Sequence, residues 1–138
     1  MKKSITQEFD YGCGIACFAF VTGMTYKKAE DFLGLKQAKS SRFWCKDLAY
    51  ELNRYGMKYI YKYVKPKIRK RIYQENTIVL VARSKKYPVG HYLVRHDGRW
   101  MDPWVNLPKD NNIKNAKSGF RKRLPSRPMY VFLPQNPE

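Results

Sequence analysis

"GHYLVRHDGRWMDPW", residues 90–104, is the stretch on which the fold turns. Asp97-Gly98 separates two runs of strand-forming residues. A two-residue hairpin of the type I′ kind asks for positive φ at both central positions, which Asp-Gly tolerates well. With that turn, His96 faces Arg99, Leu93 faces Asp102 and His91 faces Trp104 across the two strands. Side chains alternate along a strand, so His91 and Leu93 share a face, and Asp102 becomes the same-face diagonal neighbour of His91. Such a diagonal spans roughly 7–8 Å, somewhat less between Cβ atoms, within reach of a carboxylate and an imidazole. His96 points to the opposite face and gains no cross-strand carboxylate.

Working outward, TIVLVAR (77–83) is a continuous β-rich run that predicts a central strand, and MYVFL (129–133) predicts a last one. MKYIYKYV (57–64) alternates, with Tyr59, Tyr61 and Tyr63 on one face. Upstream the pattern is helical. CGIACFAFVT (13–22) is apolar almost all round, the signature of a buried helix. Thr25 is placed to cap an amphipathic helix over 26–33 that Gly34 closes. Ser40 and Ser41 lead into a third helix near 43–55, with Phe43, Leu48, Leu52 and Tyr55 toward the core. Residues 105–128 read as a polar, basic loop. Helices first and an antiparallel sheet afterwards is an α+β layout, expected as one domain over 1–138.

Three cysteines without a signal-peptide pattern argue for free thiols rather than a disulfide framework. The N-terminus has no apolar segment and no run is long enough to span a bilayer, so synthesis in the cytoplasm is expected, with any export by another route. The 138 residues are long enough to bury a real core, and 43% of them are hydrophobic. The formal charge is +17, from 28 Lys and Arg against 11 Asp and Glu. That balance favours an acidic partner such as nucleic acid, an anionic membrane or an acidic inhibitor protein, with a solvated basic surface as the plain alternative.

The chemistry gathers around QEFDYGCGIAC (7–17). A thiol becomes a nucleophile at a helix N-terminus or beside an imidazole. Cys13 stands where loop becomes helix, between Gly12 and Gly14, which leave room for a substrate. Cys17, one turn further in, reads as core, as does Cys45. His91, the histidine with a carboxylate neighbour, is the base candidate, and Asp102 would hold its tautomer. Gln7 could supply a side-chain amide to an oxyanion, although its type alone reads as an ordinary polar loop residue. Cys13, Cys17 and His91 could also supply three metal ligands, but zinc sites more often use close Cys or His pairs on both sides, so no metal is expected.

In order along the chain, Gln7, Cys13-Gly14-Ile15-Ala16-Cys17, Gly90-His91-Tyr92-Leu93-Val94 and Asp102-Pro103 resemble the papain-like cysteine peptidases of the C39 type, the bacteriocin leader-processing peptidases and their free-standing relatives. The resemblance implies a papain-like α+β fold with N-terminal helices packed on an antiparallel sheet. It implies Cys13 as nucleophile, His91 as general base and acid, Asp102 as the group orienting His91, and Gln7 in the oxyanion hole. It further implies a peptide or protein substrate, an acyl-thioester intermediate and no cofactor. Two features depart from the family pattern. Gly12 stands where an acidic residue usually precedes the nucleophile, with Asp10 three positions before Cys13, and no transporter-like membrane segment is present. Cleavage after a double glycine is therefore not carried over.

Trp104, paired with His91 in the hairpin, reads as a wall of the cleft or as core packing. Two basic clusters stand apart from this site: KPKIRKR (65–71), with Lys67, Arg69, Lys70 and Arg71, and GFRKRLPSR (119–127), with Arg121, Lys122 and Arg123. Tyrosines interleave with them, a composition suited to phosphate contacts and base stacking. A basic effector or toxin acting on or binding nucleic acid, built on the same scaffold, is the second reading.

Overall fold

The computed structural model describes residues 2–9, 12–34, 45–82, 90–107, 109 and 112–135. Three helices, α1 (Cys13–Thr22), α2 (Tyr26–Leu33) and α3 (Cys45–Tyr55), precede six strands: β1 (Tyr59–Tyr63), β2 (Ile78–Val81), β3 (His91–His96), β4 (Arg99–Asp102), β5 (Gly119–Arg121) and β6 (Pro128–Pro134). They form one sheet in the order β1-β6-β2-β3-β4-β5, antiparallel at every step. The layout is α+β, as the sequence pattern predicts.

The helix α1 is buried from Cys13 to Val21 because it has no polar face to present to water. Thr25 accepts a hydrogen bond from the Lys28 amide and caps α2, while the Gly34 amide closes it on Glu30. In α3, Leu48 and Leu52 are fully buried, and Tyr55, 40% exposed, packs edge-on against Phe18 and Phe32. Ser40, Ser41, Phe43 and the Cys45 side chain, expected to open this helix, lie outside the described residues.

Alternation splits the sheet into two apolar faces. Ile78, Leu80, Tyr92, Val94, Met101 and Phe132 join the helices in one core. Val79, Val81, Leu93, Trp100, Val131 and Leu133 form a second core, covered by Ile72, Val64, Ile68, Leu107 and Leu124. A central strand buried on both faces must be apolar throughout, and Ile78–Val81 is. The tyrosines of β1 do not act alike: Tyr59 is buried, whereas Tyr61 and Tyr63 are 39% and 47% exposed on an edge strand.

The hairpin takes the expected register, pairing Val94 with Met101, Arg95 with Trp100 and His96 with Arg99. Asp97 and Gly98 have φ of 51° and 78°, both positive as a type I′ turn requires. The region read as loop differs from expectation. It contains a 3₁₀ turn at Ile113–Asn115 and the short strand β5, which pairs with β4 through Trp100–Arg121, Met101–Phe120 and Asp102–Gly119. Three residues are too few to display a period, so this strand exists because β4 offers an edge. The N-terminal segment docks beside it. Ser4 and Thr6 hydrogen-bond the Ser118 side chain, and the Gln7 amide donates to the Pro103 carbonyl.

Candidate active site

Tertiary structure brings α1 and the β3–β4 hairpin together. The His91 Nε2 lies 2.6 Å from Asp102 Oδ1, and both side chains are buried. Cys13, at the start of α1, lies close enough to this imidazole to help raise it. Asp102 Oδ1 also accepts the Trp104 backbone N–H at 2.9 Å, and its Oδ2 accepts the Arg121 guanidinium at 2.9 Å. Donors from three parts of the chain thus converge on one buried carboxylate, the arrangement a buried charge needs.

These contacts set the protonation states. Burial pulls the His91 imidazole toward neutrality. The charge and hydrogen bond of Asp102, joined by Cys13, outweigh that and push His91 up to about 10. Burial likewise raises Asp102, but His91, the Trp104 amide and Arg121 hold its carboxyl below the usual range. The pair is therefore imidazolium and carboxylate at neutral pH. Cys17, 0% exposed on the same helix, is a different thiol: burial first, then the nearby Cys13 and Asp102, push it well up and keep it protonated.

Cys13 is the first residue of α1, where backbone N–H groups have no partner within the helix. Gly12, at the capping position, offers no side chain to them and the first turn carries no acidic residue. Gln7 is buried, and its Nε2 donates to the Phe9 carbonyl at 2.9 Å, the same oxygen that accepts the Gly12 N–H at 2.9 Å. One carbonyl thus ties the Gln7 amide to the loop that enters α1.

No family model matches the chain, and no curated protein matches it. A solved structure does: the peptidase domain of Streptococcus ComA, a bi-functional ABC transporter involved in a quorum sensing pathway, shares 16% sequence identity at a TM-score of 0.54, over 98% of this chain and 100% of that one. The fold is papain-like. The likeness agrees, at the level of fold, with the resemblance to C39-type peptidases.

Among the residues singled out in the sequence, Cys13, His91 and Asp102 meet in one cluster, with Gln7 tied to the loop that enters α1. Trp104 is buried and contributes its backbone N–H to Asp102. Gly12 packs against α2. A Cβ there would lie 2.2 Å from the Tyr26 hydroxyl, so the missing side chain makes space for α2. Gly14 is buried inside α1. Arg121, grouped by sequence with the basic cluster, turns its guanidinium to Asp102. Arg69, Lys122 and Arg123 line one surface cavity, Lys67 and Arg71 line another, and Lys70 is exposed. Among the described residues, no group of three or more His, Cys, Asp and Glu side chains could hold a metal ion.

The contact that sequence reasoning missed is the one from Arg121. Its only signal lies in the unrecognised strand. Arg121 pairs with Trp100, two residues before Asp102, and so repeats on β5 the diagonal that joins His91 to Asp102.

Proposed function

We propose that the chain is a thiol hydrolase of the cysteine peptidase type, acting on a peptide or amide bond. The observation that carries this reading is the His91 imidazole, paired with a buried carboxylate and close to a thiol at a helix N-terminus. The likeness to a solved peptidase domain supports it at the level of fold.

In this mechanism the proton of Cys13 already resides on the His91 imidazolium, and the thiolate sulfur attacks the substrate carbonyl carbon. The carbonyl electron pair moves onto oxygen, and the resulting oxyanion is met by the Cys13 backbone N–H and the Gln7 amide. The tetrahedral intermediate collapses as His91 gives its proton to the leaving nitrogen, releasing an amine and leaving an acyl-thioester on Cys13. Water then attacks the thioester with His91 as base. Collapse of this second intermediate breaks the carbon–sulfur bond, releasing the acid and restoring the Cys13 thiolate beside the His91 imidazolium. Asp102 keeps the imidazole oriented and stabilises its charged form throughout.

The test is selective alkylation beside an activity assay. Limiting iodoacetamide labels Cys13 far faster than Cys17 or Cys45 and abolishes hydrolysis of a peptide library. Cys13→Ala removes the activity, and His91→Ala lowers it by about 10²–10⁴-fold. Equal, slow labelling of all three thiols, or full activity in Cys13→Ala, would sink the reading.

A further inference from the structure

The two basic clusters, far apart in sequence, meet on the sheet face opposite the helices. Residues 65–73 cross that face, where Ile68 and Ile72 pack on the second core. This crossing segment contributes to two cavities. One, of about 410 Å³, joins Arg69 and Tyr73 of the first cluster region to Lys122, Arg123 and Arg127 of the second, beside Trp100. The other, of about 880 Å³, takes Lys65, Lys67, Ile68 and Arg71 from the segment and adds Lys62 and Tyr63 from β1. Both volumes fall in the range of about 300–1,000 Å³ typical of ligand sites. Each cavity is lined by four Lys or Arg and no carboxylate. None of these cations is in an ion pair with a carboxylate among the described residues.

Each cavity also presents a ring. Tyr73 is 56% exposed and lies 6.1 Å from Trp100, with the Arg95 guanidinium 5.0 Å from both rings. Tyr63 is half exposed and is held edge-on by Tyr130 at 5.5 Å. Fixed, open rings set among these cations match a ligand that alternates phosphate with planar base. An acidic peptide would use the charges and not the rings. An anionic bilayer meets a flat face, whereas these groups line recesses.

We propose that single-stranded nucleic acid binds across these two cavities, its phosphates on the Lys and Arg side chains and its bases against Tyr73 and Tyr63. The test is fluorescence anisotropy of labelled oligouridylate with the full chain, over a series of salt concentrations. Binding weakens steeply with salt, and Lys122→Gln/Arg123→Gln/Arg127→Gln makes the slope of log K against log salt shallower by about 2, since each neutralised phosphate accounts for about 0.7. Tyr73→Ala weakens binding about fivefold or more while Tyr73→Phe retains it, because the ring and not the hydroxyl stacks. Thermal melting of each variant reports whether it is folded. Failure to bind oligouridylate at low salt overturns the proposal, as does unchanged affinity in folded Tyr73→Ala. Equal affinity for an oligoglutamate assigns the face to an acidic protein, and capture only by phosphatidylserine vesicles assigns it to a membrane; either result overturns it.

Discussion

Asp102 shows how one buried carboxylate is kept ionised. It is 0% exposed, yet His91, the Trp104 amide and Arg121 all donate to it, and together they outweigh its burial. Arg121 differs from the other two in reaching in from an edge strand, with 30% of its side chain still exposed. Its removal leaves Asp102 with fewer donors, so the carboxyl titrates at higher pH in Arg121→Gln than in wild type, and Arg121→Lys recovers part of the difference. Carbon-13 NMR of labelled aspartate reads this directly, and an unmoved Asp102 titration would show that the guanidinium contributes only packing. The His91–Asp102 contact was legible in the sequence because a two-residue turn leaves one register. Arg121 was not, because a three-residue strand leaves no periodic trace and a charged residue in a basic run looks solvated.

Among the elements, α1 explains more than its length suggests. A helix with no polar face must be enclosed, so α2 and the sheet close around it and its first turn is held near β3. Gly12 is where this enclosure is tightest. The Tyr26 hydroxyl from the start of α2 approaches within 3.4 Å of the Gly12 carbonyl and fills the place of a side chain. Gly12→Ala therefore overpacks the α1–α2 junction and destabilises the fold by about 1–3 kcal/mol. Removing the hydroxyl relieves the clash, so Tyr26→Phe recovers part of that loss in the double variant, a coupling that urea unfolding of the four proteins measures. Strictly additive losses would mean that the hydroxyl is not what excludes the methyl group. The partner that meets Gly12 comes from another helix, and no local pattern identifies it.

For the whole molecule, the buried ion pair links folding to pH. His91 is pushed up to about 10 in the fold against about 6.5 when unfolded, so its contribution to stability is complete below about pH 6.5 and is lost as pH rises through 10. Asp102 works in the other sense: its lowered carboxyl stabilises above about pH 4, the unfolded value, and the contribution is lost as pH falls through the folded one. The pair therefore stabilises most between about pH 4 and 6.5. The unfolding free energy of wild type minus that of His91→Gln should shrink above pH 6.5 by up to about 1.4 kcal/mol per pH unit. Urea unfolding at a series of pH values checks this, and a difference that grew toward pH 10 would contradict it. On the same scale, the sequence by itself determined the helices, the hairpin register and the pairing of His91 with Asp102. Those depend on residues close in the chain, where periodicity and turn geometry leave few alternatives. The tertiary structure alone decided that Cys13 meets that imidazole, that Arg121 completes the carboxylate's partners and that two basic clusters share one face. Each of these joins segments distant in sequence, and such contacts are chosen by how the apolar faces of helices and sheet close over one another.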